Sequence, residues 1–375
     1  MKRSLHIIFI LMVLMILLSG TAFATPEIAA KSAVLIDAVS GRVLYESNAH
    51  ERLPQASTTK ITTALVALEN AKLTKKIRLP DDFVNPGESG IYLEPGETHS
   101  LEDLMYALLL KSANDAAEAI GIGVAGSLDK FVDMMNKRVR DLGLTDTHYV
   151  NPHGLHHEDH YSSAYDLAMI AREALKLEEF RKIIATDRHT LPWAGNEYSR
   201  VVYNGNRLLK TYEGADGVKT GYTRQAGSCL VGSATRNGMQ LIAVVLNCNG
   251  MYDDVGALLD YGFNNYQKKD FIQEGQVIGE ITVAGGKSEK IKVFAKEPLS
   301  ISLTDEELQQ VKKNIYLPEQ VKAPVKQCQR MGVLVIKINE EMSISTELVA
   351  NVDVEKRSFL SYLWYKFISA IIQHP

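Results

Sequence analysis

The sequence predicts a mixed α/β (α+β) fold: an antiparallel sheet flanked by helices, then a small all-β domain and a terminal amphipathic helix. Three observations carry this. Segments that alternate apolar and polar residues, 32–37 with 42–46 and 228–235 with 239–247, read as two hairpins bracketing the first 265 residues. Between them, apolar residues recur at helical spacing. Beyond about Tyr266 that period gives way to short alternating runs punctuated by Gly275, Gly279 and the pair Gly285-Gly286. With 375 residues the chain has room for two domains.

The elements follow in order. Lys2 and Arg3 precede an apolar run over 7–18, and Ala22-Phe23-Ala24 places small residues where a signal peptidase cuts. Residues 1–24 therefore read as a secretory signal peptide, because the run is shorter than the roughly 20 residues a membrane-spanning helix needs. After the first hairpin, residues 56–73 form a helix with Ile61, Leu65, Val66 and Leu68 for the core. Ser57 and Lys60, three residues apart, share one face of its first turn. A helix over 101–110 runs into Ser112-Ala113-Asn114, and a second helix over 115–124 leaves it. Residues 151–160 are polar and rich in His and Pro, a loop before the helix over 163–175.

Lys219-Thr220-Gly221 precedes the second hairpin, which turns at Asn237-Gly238. A two-residue turn there pairs Cys229 with Leu246 and Cys248 with Gly227, so the two thiols stand on a diagonal of about 7–8 Å, beyond comfortable bridging distance. Cys328 lies far off in the C-terminal region. All three cysteines read as free thiols.

The catalytic domain expected from this pattern spans residues 25–267, and the β-rich domain 268–354, with runs over 277–283, 290–294, 299–303 and 333–338. Thr304 and Glu307 form a capping box for one short helix. In residues 355–375, Phe359, Leu360, Leu363, Trp364, Phe367, Ile368 and Ile371 gather on one side of a helical wheel, with Lys356 and Arg357 just before them. Such a helix suits the plane of a membrane surface.

The net charge of -4, with 23% charged and 46% hydrophobic residues, gives no footprint for nucleic acid. The chemistry lies in three motifs standing in one order: Ser57-Thr58-Thr59-Lys60, Ser112-Ala113-Asn114 and Lys219-Thr220-Gly221. Together they supply a nucleophile, a base, a second hydroxyl and a cation for acyl transfer. A serine hydroxyl needs a base to take its proton, and the nearest is Lys60. A lysine serves only when neutral, so its pKa must fall by about three units, at a cost on the order of 4 kcal/mol. Burial beside a second cation, Lys219, supplies this. Ser112 is placed to bridge the two amines and relay a proton. Asn114 is expected to hold both the Lys60 side chain and a substrate amide, and the N–H groups of Ser57 and Tyr222 to form an oxyanion hole. Lys219 and Thr220, with Gly221 and Tyr222 on the same segment, favour a substrate ending in a free carboxylate. The dense run His148, His153, His156, His157 and His160 lacks the i, i+4 pair with a glutamate of H-E-x-x-H sites, so it reads as loop, and no metal or cofactor is expected.

With these motifs, and with Gly96-Glu97, residues 101–117, Asn151-Pro152, Gly154-Leu155, residues 160–166 and Gly214-Ala215-Asp216-Gly217, the chain resembles the low-molecular-mass penicillin-binding proteins, the serine-type D-alanyl-D-alanine carboxypeptidases. The resemblance implies a serine β-lactamase/transpeptidase-like catalytic fold. It further implies removal of the terminal D-alanine from the peptidoglycan stem pentapeptide through an acyl-enzyme at Ser57, with β-lactam antibiotics as covalent inhibitors. An exported protein held at the outer face of the cytoplasmic membrane by its C-terminal helix is expected. The chain departs from some relatives at one point: Gly205, between Asn204 and Asn206, stands where they carry an arginine for the substrate carboxylate, and Arg207 lies nearby. A β-lactamase is the alternative with the same motifs, but no glutamate in that enzyme's local pattern precedes the third motif. A non-catalytic penicillin-binding or wall-binding protein is the other.

Overall fold

The computed structural model describes residues 25–193 and 197–358. The expected leader, residues 1–24, and the expected tail helix from residue 359 onward lie outside the described residues. The described chain divides between Asn265 and Tyr266.

In the first unit, β1 (Ser32–Asp37), β2 (Val43–Ser47), β3 (Ala215–Thr223), β4 (Gly227–Arg236) and β5 (Met239–Leu246) form one antiparallel sheet in the order β2-β1-β5-β4-β3. Both faces of its centre are covered, which is why β1 is buried at every position. Val34, Ile36, Ile242 and Val244 join one core cluster with Ile61, Leu65, Ala168 and Ala171. On the other face lies a helix, Met251–Asn265, whose Gly262 approaches so closely that an added Cβ would meet Leu35 and Leu241. Asn237 and Gly238 turn the second hairpin with φ of 50° and 76°, the two left-handed conformations such a turn requires, and Arg236 pairs with Met239. The resulting register, Leu230 opposite Val245, is the one that keeps Cys229 and Cys248 apart. All three cysteines are free, with Cys229 and Cys248 buried and Cys328 exposed.

The helical layer holds α1 (Lys60–Asn70), α2 (Leu101–Tyr106), α3 (Asn114–Ala125), α4 (Leu128–Asp141) and α5 (Ala164–Ala174). Ser100, Ser127 and Ser163 cap α2, α4 and α5 by accepting a backbone N–H at the third helical position. Two helices differ from expectation where they meet the motifs. The helix expected from residue 56 begins as a 3₁₀ turn, Ala56–Thr59, and becomes α-helical only at Lys60. Ala56 takes a left-handed φ of 50°, and the hydroxyls of Thr58 and Thr59 bond back to Gln55 O at 2.7 Å and Ala56 O at 2.9 Å. The helix expected over 101–110 ends in a wide π turn, Ala107–Lys111, stopped by Ser112 at φ 63°.

The second unit carries its own core of Ile281, Ile291, Val293, Leu334, Ile336 and Leu348 among others. The expected runs appear as strands Val277–Ala284, Lys290–Ala295, Leu299–Leu303 and Arg330–Lys337, and the Thr304–Glu307 capping box opens the helix Asp305–Gln310. Four further strands, Gln267–Ile272, Lys312–Tyr316, Gln320–Lys322 and Ser343–Ala350, escape a reading by alternation. Lys312–Tyr316 shows why: it is an edge strand with no fully buried residue, so it has no apolar face to detect. Lys356 still bridges to Gly286, and Arg357 N–H donates to Gly285 O at 2.8 Å, so the start of the expected tail segment is tied to the β domain.

Candidate active site

Ser57 rides the 3₁₀ turn and Lys60 opens α1, and the threefold repeat of that turn stacks their side chains. Lys60 Nζ lies 3.0 Å from Ser57 Oγ, 2.7 Å from Asn114 Oδ1 and 2.6 Å from the carbonyl oxygen of His153. A neutral amine has two N–H bonds and one lone pair. As an ammonium Lys60 donates to all three oxygens; once neutral, its two N–H bonds go to the two carbonyl-type oxygens, which can only accept, and the lone pair is left for the Ser57 hydroxyl to donate into. This is the arrangement of a base about to remove a proton. Burial works in the same direction, since Lys60 is wholly buried and its pKa is driven well below that of a free lysine. Burial is the larger cause and the positive charge of Lys219 the second, while Asp115 and Glu88 pull the other way.

Lys219 is itself buried on β3 and is pushed down to about 7 by loss of solvation. Its ammonium donates to Thr220 O at 2.8 Å. One member of the second motif sits differently from expectation. Ser112 Oγ is buried but hydrogen-bonds to nothing among the described residues, so it does not bridge the two lysines in this conformation. Asn114 holds Lys60 through Oδ1 as expected, but one of its two Nδ2 N–H bonds goes to Gly87 O at 3.0 Å, which leaves the other for a substrate.

Thr220, Gly221 and Tyr222 run along β3 beside the catalytic turn. Glycine suits 221, because a Cβ there would crowd the backbone at 3.0 Å from both Gln55 O and Ser57 N. Ser57, Ser112, Asn114, Thr220, Gly221 and Tyr222 share the lining of an open cleft of about 340 Å³. Ser57 N–H belongs to the first turn of its helix, where backbone donors lack intrahelical partners. Arg207 is exposed and lies over the ring of Tyr252, 5.1 Å from its centre, while Tyr252 and Gly205 both line the cleft.

The histidine loop contributes more than its composition suggests. Besides the His153 carbonyl, Gly154 at φ 92° presses on the catalytic turn so tightly that a Cβ would fall 2.0 Å from Ala56 O. Val150 N–H donates to His160 Nδ1 at 3.1 Å, so the ring proton sits on Nε2, which donates to Thr59 Oγ1 at 2.9 Å. Burial holds His160 neutral, with its pKa near 3. Thr63 Oγ1 donates to Pro152 O at 2.5 Å. These two histidines thus fasten a loop to the catalytic helix. Among the described residues no group of three His, Cys, Asp or Glu could hold a metal ion.

Sequence reasoning missed Asp115 and Glu88. The buried Asp115 carboxylate accepts the N–H groups of Ile91 and Leu93, fixing the segment that carries Glu88 to the cleft. The turn signature Asn85-Pro86-Gly87 was the available signal.

The profile of the D-alanyl-D-alanine carboxypeptidase family matches residues 19–250. The chain belongs to that family. As a D-alanyl-D-alanine carboxypeptidase it is a serine-type, penicillin-binding hydrolase that works through an acyl-enzyme on peptidoglycan, and the carboxypeptidase reading of its motifs is preferred to the β-lactamase one on this ground. Residues 266–356 match the C-terminal domain of penicillin-binding protein 5. The carboxypeptidase DacF of Bacillus subtilis is 37% identical over 98% of this chain and 100% of its own. The crystal structure of penicillin-binding protein 5 from Haemophilus influenzae aligns with a TM-score of 0.74 at 31% identity, covering 89% of this chain and all of that one. A mutant Streptomyces DD-transpeptidase aligns over 64% of this carboxypeptidase and 99% of its own chain, at 32% identity and a TM-score of 0.60.

Proposed function

We propose that Ser57 is the nucleophile and Lys60 its general base in trimming D-alanine from the peptidoglycan stem pentapeptide. The observation that carries this is the three-partner environment of Lys60 Nζ, which in the neutral amine reserves the lone pair for Ser57. Ser57 Oγ attacks the carbonyl carbon of the penultimate D-alanine as Lys60 takes the hydroxyl proton. The N–H groups of Ser57 and Tyr222 receive the oxyanion. As the C–N bond breaks, the proton held by Lys60 passes to the leaving amine, with the unpartnered Ser112 hydroxyl as the relay, and free D-alanine departs. Water then gives a proton to Lys60 and attacks the ester, and as the C–O bond breaks Lys60 returns that proton to Ser57 Oγ and the shortened peptide leaves. Lys219 and Thr220 hold the terminal carboxylate, with the open backbone at Gly221 and the Tyr222 segment flanking it. A β-lactam acylates the same serine.

The basic and apolar leader and the amphipathic tail support an exported enzyme attached to the outer face of the cytoplasmic membrane, acting in cell-wall biogenesis and cell shape. Release of D-alanine from a peptide ending in D-Ala-D-Ala tests the catalytic core. Ser57→Ala is expected to lower turnover on the order of 10⁴-fold or more while melting as the parent does. Comparable D-alanine release by Ser57→Ala would overturn the assignment.

A further inference from the structure

Glu88 is the single charged residue among those lining the cleft. Its carboxylate is exposed, and among the described residues no cation lies within the 4.0 Å of an ion pair and no donor hydrogen-bonds to it. Its backbone is held at φ 57°, a left-handed conformation that a residue with a Cβ pays to adopt, typically by an amount of order 1 kcal/mol or more. What enforces this is the site itself. Asn114 Nδ2 donates to the carbonyl before Glu88, that of Gly87, at 3.0 Å, and Asn114 N–H donates to the carbonyl after it, that of Ser89, at 2.7 Å. Ser89 Oγ adds a bond to Lys111 O at 2.9 Å. The residue that orients Lys60 therefore also clamps both neighbours of Glu88. Within the described residues the side chain makes no hydrogen bond or ion pair in return, and its charge reaches Lys60 only at longer range.

We infer that Glu88 is a specificity residue that pairs with a free ammonium group on the acyl side of the substrate, the part of the stem peptide that stays on Ser57. This rests on the carboxypeptidase reading above. The substrate then meets two poles: Thr220 on the cleft wall, with the buried Lys219 next to it in β3, beside the departing carboxylate, and Glu88 on the segment bound to Asn114. A peptide with a C-terminal carboxylate and a side-chain amine upstream matches both.

Two peptides separate the outcomes, Nα-acetyl-L-Lys-D-Ala-D-Ala with its side-chain amine free and the Nα,Nε-diacetyl form. With the full-length enzyme, kcat/KM is expected to favour the free amine about five-fold at low salt, the worth of an exposed ion pair, and less at high salt. Using the ratio within each variant cancels any effect on Lys60. Glu88→Asp should keep the preference, Glu88→Gln should bring the ratio near one, and Glu88→Lys should reverse it. A wild-type ratio near one, or an undiminished ratio in Glu88→Gln, overturns the inference while leaving the carboxypeptidase standing. If wild type cleaves neither peptide, the carboxypeptidase reading fails and this inference falls with it.

Discussion

At the residue scale the site is an electrostatic compromise between two buried lysines. Lys219 titrates near 10.5 when unfolded and near 7 when folded. Between those values the unfolded chain binds the extra proton, so stability rises with pH and the burial penalty is largest below pH 7. Replacing the ammonium by an apolar side chain of similar length should remove that penalty. Lys219→Met is expected to be more stable than wild type at pH 7 by roughly 1–4 kcal/mol, the gain shrinking toward pH 10.5 in urea melts. It should also acylate poorly with penicillin. Because Lys60 then loses the neighbouring cation that helps keep it neutral, its pKa rises and the acid limb of the acylation profile moves to higher pH. An unmoved limb would refute the coupling. Of this residue-level picture, the pairing of Ser57 with Lys60 was legible because three residues of spacing suffice to bring them together. The His153 carbonyl was not, since any residue type supplies a carbonyl and nothing in a sequence marks where one points.

Among the elements, the loop over 151–160 does the least obvious task. It packs on the 3₁₀ turn through Gly154 and on Thr59 through His160, and so holds the nucleophile's turn in place. His160 is neutral in the fold, near 3, against 6.5 unfolded. In the interval the unfolded chain takes up a proton that the folded one refuses, so stability is lost as pH falls from about 6.5 toward 3, by up to ~1.4 kcal/mol per pH unit. Chemical denaturation between pH 4 and 7 should show this slope, and His160→Gln should flatten it. An unchanged slope in the variant would place the acid sensitivity elsewhere. Helix and strand existence was readable here from apolar period, but the exact starts were not. The 3₁₀ turn at Ala56–Thr59 and the π turn at Ala107–Lys111 are set by hydroxyl-to-backbone bonds, the left-handed Ser112 and the distant Gly154, none of which an apolar period registers.

For the whole molecule, the described chain is two units, each with its own core. The termini carry the proposal about location. Deleting residues 358–375 is expected to leave D-alanine release intact and move the enzyme from the membrane fraction to the soluble one, while continued sedimentation with membranes would argue against an anchor. The sequence by itself determined the class of chemistry, the order of the three motifs, the hairpin register that separates Cys229 from Cys248, and the change of character near residue 266. These are local or periodic properties, carried by neighbours along the chain. Only the tertiary structure decided that Lys60 has two acceptors besides Ser57, that Ser112 stands unpartnered, that Asn114 also donates to Gly87, and that Glu88 faces the cleft alone. Each of these joins residues 27 to 93 positions apart or depends on what surrounds a side chain, and the energy of a buried polar group is set by its neighbours in space.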